Sequence, residues 1–316
     1  MSKLFKDQAL SYKDLLENVP CNLCGKDDYT VIYPARYDQA SSDNFADKFR
    51  SSGDETLVDP MVQCRHCGLQ YLNPRPRQDM ILEGYSAGTD EKFVSQAVAR
   101  ENTFGKCLDL VEKYSPSRGR ILDIGAAAGS FLHVAQKRGW QIAGCEPNRW
   151  MCEWAQSHYG IRIQPGTLFD LQKVTDQSFD VITLWDVLEH TPDPKVVLLE
   201  CQRLLKPDGL LIVNYPDIGS WIARAMGRKW VFLLSVHLYY FDRRTIRNLL
   251  QATGFIPLQL RPHIQSLELG YILERMKPYI PWVPGMASQL VKSLRLEHCQ
   301  VPYWVGQTLV IAKRRG

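Results

Sequence analysis

The sequence predicts a doubly wound α/β protein, a mostly parallel seven-stranded sheet with helices on both faces, preceded by a small cysteine-rich module. Three observations predict it. Short apolar segments alternate with helical ones through the middle of the chain, the rhythm of repeated strand–helix units. A turn of small residues, Gly125-Ala-Ala-Ala-Gly129, follows the first of those apolar segments and opens a helix. Two Cys-x-x-Cys-Gly repeats, at Cys21 and Cys64, precede all of this.

The elements follow in order. Up to about residue 76 the chain has little helical periodicity, and the polar stretch 38–54 reads as a loop or insertion. Residues 90–114 turn helical, with Phe104, Leu108 and Val111 on one face. Strands are expected at 120–124, 141–145, 161–164, 179–185, 209–215, 255–260 and 307–313. Helices are expected at 130–138, after the N-cap Asn148, at 194–205, and from the cap Asp242 to Gly254. Lys206-Pro-Asp-Gly209 reads as a helix stop and turn. Residues 265–303 interrupt the rhythm with several prolines and an amphipathic helix around 286–296. A lid, a dimer contact and a peripheral membrane contact are all open for that segment. The division expected is residues 1–80 for the module and 90–316 for the α/β domain.

Composition excludes several classes. Of 316 residues, 45% are hydrophobic and 23% charged, with a net charge of +4 and no long run of one sign, so nothing draws the chain to nucleic acid. The start lacks a signal peptide's apolar stretch. The longest apolar run, 230–241, is shorter than the roughly 20 residues that span a bilayer. Nine cysteines, an odd number, fit a reducing cytoplasm without a disulfide framework.

Cys21, Cys24, Cys64 and Cys67 form two knuckles whose spacing lets both thiolates of a pair face one ion. Together they complete a tetrahedral four-thiolate site, which with no open position is structural and suits zinc. A single iron in the same thiolates, or a redox-active pair, is the rival. His66 reads as a surface residue.

In Ile121-Leu-Asp123-Ile-Gly125-Ala-Ala-Ala-Gly129 the small residues allow close backbone approach to a ligand. The glycine spacing departs from the Gly-x-Gly-x-x-Gly of dinucleotide sites. Asp123, just before the first glycine, would repel a pyrophosphate and favour a cationic ligand such as S-adenosylmethionine. Glu146, followed by Pro147 at the end of the second strand, can accept both ribose hydroxyls in either kind of site.

Residues 122–129 resemble the Asp-x-Gly-x-Gly-x-Gly motif of class I, Rossmann-like, S-adenosylmethionine-dependent methyltransferases, with Ala127 in place of the middle glycine. The resemblance implies donor contacts from Asp123, Gly125, Ala127, Gly129, Glu146 and Pro147. It implies further contacts from Thr167 and Leu168, from Trp185 beside the adenine, and from Asp186. Thr167 stands where the family often has Asp. The two knuckles, Asn73-Pro-Arg-Pro76 and His237-Leu-Tyr-Tyr-Phe241 resemble bacterial zinc-knuckle methyltransferases of small-molecule or saccharide pathways.

Methyl transfer is an in-line displacement that needs a base only where the nucleophile must lose a proton. His190, after the fourth strand, and His237, in an aromatic segment that could form a lid, are the candidates, with Tyr239 and Tyr240 orienting an acceptor. Turn capping and core packing are their ordinary alternatives. Asp186 and Glu189 could place the ligands or be solvated. The fourth strand ends in Leu-Trp-Asp, unlike the Asn/Asp-Pro-Pro-Tyr of amine-methylating relatives. That leaves three functions: O- or C-methylation of a small molecule or saccharide, favoured; an RNA or protein methyltransferase gripping its substrate through the zinc module; and a non-catalytic donor-binding protein. Asp27, Asp28, Asp38, Asp43, Asp47 and Asp54 speak against RNA.

Overall fold

The computed structural model describes residues 15–37, 56–171, 174–276, 289 and 291–315. The stretch 38–54 and the start of the segment 286–296 lie outside the described residues; Val291 to Ser293 are helical.

Seven strands make the main sheet: β1 (Arg120–Ile124), β2 (Gln141–Glu146), β3 (Gln164–Pro165), β4 (Phe179–Trp185), β5 (Leu205–Pro216), β6 (Phe255–Pro262) and β7 (Gln307–Arg314). Their order is β6-β7-β5-β4-β1-β2-β3. The first five strands run parallel, and β7 is antiparallel to both neighbours. The helices that matter to the site are α1 (Ala97–Tyr114), α2 (Ser130–Lys137), α3 (Arg149–Tyr159), α4 (Pro194–Leu204) and α5 (Arg243–Ala252).

Successive strand residues serve opposite faces, and both faces are covered. Ile121, Val181 and Ile212 pack with Leu108, Phe131 and Ala135. Their neighbours Leu122, Ile182 and Leu211 pack with Leu198, Leu204 and Ile246. Each such side chain contributes about 1.5–3 kcal/mol on full burial. The helix starts are fixed by side-chain acceptors: Asn148 takes the N–H of Met151, Asp193 that of Val196, and Asp242 those of Arg244 and Thr245.

Two expectations shift. The third strand is Gln164–Pro165 rather than 161–164, because Ile161 and Ile163 sink into the helix-side core and only two residues reach β2. Lys206 to Gly209 do end α4, but they continue directly into β5 as an irregular stretch, with Asp208 at φ 63°. Lys206 Nζ is tied to the Asp180 carboxylate at 2.9 Å, which holds that stretch against β4.

The N-terminal part forms its own four-stranded sheet, Tyr29–Tyr33, Met61–Cys64, Gln70–Leu72 and Tyr239–Tyr240. The last strand comes from the α/β part of the chain and pairs Tyr239 with Tyr71 and Tyr240 with Gln70. The segment 237–241, expected as a possible lid, is therefore interior. Leu238, Tyr239, Tyr240 and Phe241 are all buried, because completing the sheet places them in the core that the N-terminal strands share with one face of the main sheet. Residues 265–303 open and close with an antiparallel pair, Gln265–Glu268 against Gln300–Tyr303, and carry the helix Leu269–Met276. Among the described residues, no helix is long and apolar enough to cross a membrane.

Candidate functional site

Both halves of the site lie beyond the C-terminal ends of β1, β2 and β4, where connections leave the sheet in opposite directions. The turn after β1 holds Gly125 at φ 66°, Ala127 at φ 45° and Gly129 at φ 77°. Gly125 is required sterically, since a Cβ there would sit 2.7 Å from Val187 Cγ2 in the turn after β4. Ala127 occupies a left-handed position that costs an L-residue roughly 1–2 kcal/mol.

What holds Ala127 there is Glu146. This carboxylate, fully buried at the tip of β2, accepts the N–H of Ala127 and the N–H of Asn148, both at 2.8 Å. A hydrogen bond from Tyr85 joins them. Burial nonetheless outweighs these donors and pushes the Glu146 pKa up to about 7. Tyr85 belongs to the helix Gln78–Ala87, whose end is fastened by Asn148 Nδ2 to the carbonyls of Tyr85 and Gly88.

Asp123 is equally buried and accepts the Thr183 hydroxyl across the β1–β4 pair at 2.6 Å; burial, with Glu146 nearby, raises its pKa to about 8. Two desolvated carboxylates beside a small-residue turn fit a ligand with a cationic group and a vicinal diol, as S-adenosylmethionine has. Pro147 starts the turn into α3. The Thr167 N–H and hydroxyl both bond the Asp170 carboxylate, at 2.8 and 2.7 Å, and Leu168 is buried beneath them.

After β4 the geometry is tighter. Trp185 is buried among Phe104, Phe131 and His263. Asp186 adopts φ 52°, left-handed for a non-glycine, and is clamped by Asn214: its N–H donates to Oδ1 at 2.9 Å, and Nδ2 donates back to its carboxylate at 2.6 Å. Strain that the surroundings over-determine in this way collects at functional sites. Gln265 Nε2 reaches the other Asp186 oxygen at 3.4 Å, and the Tyr303 hydroxyl bonds Gln265, so both ends of the 265–303 segment converge here. Arg100 of α1 lies close enough to favour the ionised form of Asp186, and its buried Nε has no hydrogen-bond partner among the described residues.

Glu189 and His190 follow on a short 3-10 turn, and His237 packs against His190 with ring centroids 4.7 Å apart. Each imidazole is fixed by its Nδ1, His190 at 2.9 Å from the Val236 carbonyl and His237 at 2.8 Å from the Phe232 carbonyl. Donating to a carbonyl requires the proton on Nδ1, which leaves both Nε2 lone pairs available. Burial pushes His190 down to about 4, and burial with His190 alongside drives His237 well below its ordinary value. Glu189, expected as possibly solvated, is 1% exposed and accepts no hydrogen bond from any other of the described residues. Burial and the charge of Asp186 raise its pKa well above normal.

Tyr239 stands apart from that cluster. Its hydroxyl receives Arg75 Nη1 at 2.8 Å and donates to the Pro192 carbonyl at 3.0 Å, so it fastens the N-terminal sheet to the turn after His190. The backbone repeats the link: Leu72 N–H bonds the Leu238 carbonyl at 3.0 Å, and Leu238 N–H bonds the Glu189 carbonyl at 2.8 Å.

The four cysteines gather as expected. Cys21 and Cys67 sulfurs are 3.4 Å apart, those of Cys24 and Cys64 3.5 Å, and all four lie within 4.8 Å. Zinc–thiolate bonds of about 2.3 Å in a tetrahedron place sulfurs about 3.8 Å apart, so this donor set fits zinc.

Sequence reasoning missed Arg100, Asn214, Gln265 and Tyr85. Only Asn214 left a signal, as the one amide in the apolar strand 210–215.

The comparisons agree with this geometry. Residues 99–260 match a family model described as a methyltransferase domain. A ubiquinone biosynthesis O-methyltransferase from Yersinia enterocolitica is 26% identical over 170 residues, covering 50% of this chain and 69% of the relative. The corresponding protein of Neisseria meningitidis is 30% identical over 115 residues, covering 34% and 48%. Among solved structures, a possible histamine N-methyltransferase from Thermotoga maritima is 20% identical with a TM-score of 0.48, covering 71% of this chain and 94% of that one. The family model takes in more than half of the chain and every strand from β1 to β5, with the glycine turn and the acid at the tip of β2 inside it. The chain thus belongs to the methyltransferase domain family, the class I enzymes that depend on S-adenosylmethionine.

Proposed function

We propose that the chain transfers a methyl group from S-adenosylmethionine to a hydroxyl of a small molecule, saccharides included. The observation that carries this reading is the pairing of His190 and His237 beside Glu189. Both imidazoles are neutral with free Nε2 lone pairs. A hydroxyl must lose its proton to attack, and these are the bases positioned to take it. Two relatives that carry an O-methyltransferase name support oxygen over carbon as the acceptor atom.

The bound donor supplies an electrophilic methyl on its sulfonium. Glu146 accepts the ribose hydroxyls, the 125–129 turn lies against the donor, and Asp123 and Asp186 balance its positive charge. The Asp186–Gln265–Tyr303 set forms the acceptor's polar wall. Tyr239 is committed to Arg75 and Pro192, which leaves proton removal to the histidines.

The same reading assigns residues 1–80 to a zinc module and 90–316 to the catalytic domain, with zinc structural because all four positions are thiolates. A cytoplasmic location fits nine cysteines, none of them in a disulfide.

Donor affinity should depend on pH. With Glu146 at about 7 in the free protein and ionised when ribose hydroxyls donate to it, protonation competes with binding. S-adenosylhomocysteine should bind about tenfold more weakly at pH 6 than at pH 8 by calorimetry. Equal affinities would mean that Glu146 does not take up the ribose.

The test of the function is transfer of label from radioactive S-adenosylmethionine into a cell extract, separated into small solutes, lipid, saccharide, RNA and protein. Label is expected in solute, lipid or saccharide. Label in RNA or protein alone would overturn the acceptor class.

A further inference from the structure

We propose that Glu189, His190 and His237 form a second metal site, distinct from the four cysteines, for a divalent first-row transition ion. The three side chains each offer one ligand atom, and those atoms lie within 4.8 Å of one another. Two neutral nitrogens and one carboxylate oxygen are a set that suits zinc, manganese, iron or cobalt rather than magnesium or calcium, which prefer oxygen throughout.

Two further observations point to an ion. The first is the way the imidazoles are held. A metal-bound histidine usually donates its other ring N–H to a carbonyl or carboxylate, which fixes the tautomer and aims the lone pair. His190 and His237 both do so, to Val236 and Phe232. Two histidines prepared in the same sense and converging from different parts of the chain are more than packing requires.

The second is Glu189. It is 1% exposed and, among the described residues, neither carboxylate oxygen accepts a hydrogen bond from another residue. A buried carboxylate without a partner is costly, and such groups are paired or coordinate metals. Asp186, the nearest acid, adds negative charge rather than relieving it, and is itself tied to Asn214 and Gln265. No Lys or Arg pairs with Glu189 among the described residues. A divalent cation answers both the missing partner and the excess charge. With three protein ligands the ion would keep one position open, as catalytic rather than structural metal sites do. It would take up both Nε2 lone pairs, so in the loaded protein the imidazoles serve as ligands rather than bases. The ion would instead lower the pKa of an acceptor hydroxyl bound at the open position.

The site can be tested independently of methyl transfer. The whole chain of 316 residues, loaded with zinc at the cysteines, is titrated with zinc, then with manganese, by calorimetry, and its metal content is measured after gel filtration. Wild type should hold two ions per chain. His237→Ala and Glu189→Gln should each hold one, losing the second ion by more than the roughly 10–100-fold that an outer-shell partner is worth. Their S-adenosylhomocysteine affinity, which uses other residues, should stay unchanged and so report an intact fold. Saturation of wild type at one ion, or two ions retained in both variants, would overturn the site. Failure of the function reads differently: two ions without label transfer leaves the metal site standing, whereas label transfer with one ion removes the metal and keeps the enzyme.

Discussion

Glu146→Gln should weaken S-adenosylhomocysteine binding by about 10- to 100-fold. A hydrogen bond to a charged group contributes about 1.5–3 kcal/mol, and the glutamine amide keeps the volume while replacing one acceptor oxygen with a donor. That donor would also face a backbone N–H, of either Ala127 or Asn148, where the native carboxylate accepts both. The part of the pH dependence that lies around pH 7 should go with the titrating group, leaving only that of Asp123 near pH 8. Thermal unfolding of the variant separates lost affinity from lost structure. Wild-type affinity in a folded Glu146→Gln would remove this residue from the donor site and the ribose contact with it.

Replacing Cys21 and Cys24 together by serine should release one zinc per chain and destabilise the protein by about 5 kcal/mol or more. Structural zinc contributes its binding energy to folding, and the sheet it braces is small. With an unfolding entropy of about 2 cal/mol/K per residue, each kcal/mol moves the midpoint of a chain of this size by about 1.5 °C, so a fall of about 7 °C or more is expected. Hydrogen exchange should rise in residues 61–72 and also in Tyr239–Tyr240, which pair with them. Methyl transfer should fall as well, since the Leu72–Leu238–Glu189 chain of hydrogen bonds loses its anchor. An unchanged midpoint with unchanged protection would mean that the sheet stands without the ion.

Much of the fold was legible because local chemistry and global placement agree in it. β1, its small-residue turn and α2 read directly from Ile121 to Ser130, since the apolar run, the glycines and the helix start each have a single use there. The cysteine spacing likewise left few arrangements. β3 was misplaced because Ile161 and Ile163 look the same whether they pair or only pack. The site was legible where a residue type is unusual for its element, as with Asp123 and Glu146 at strand ends. It was illegible where function depends on what a distant segment brings. Nothing near Glu189 announces that His237 will pack beside its neighbour, or that Gln265 and Tyr303 will meet Asp186. Tyr239 misled for the same reason: an aromatic run with a histidine suits a lid, and its pairing with Tyr71 is visible only in three dimensions.

That pairing fixes an order of events as the chain is made. The cysteines leave the ribosome before the α/β domain, but the strand that closes their sheet lies beyond β5 and follows long after them. The nascent cysteine segment can gather its four thiolates around an ion, yet one edge of its sheet stays open until residues 239–240 emerge. An open edge is a template for pairing with other chains, and closing it late is a non-local and therefore slow step. The Gln70–Leu72 edge of the module is thus covered only after β5 has been made, and its closure is the same step that seats Leu238 between Leu72 and Glu189.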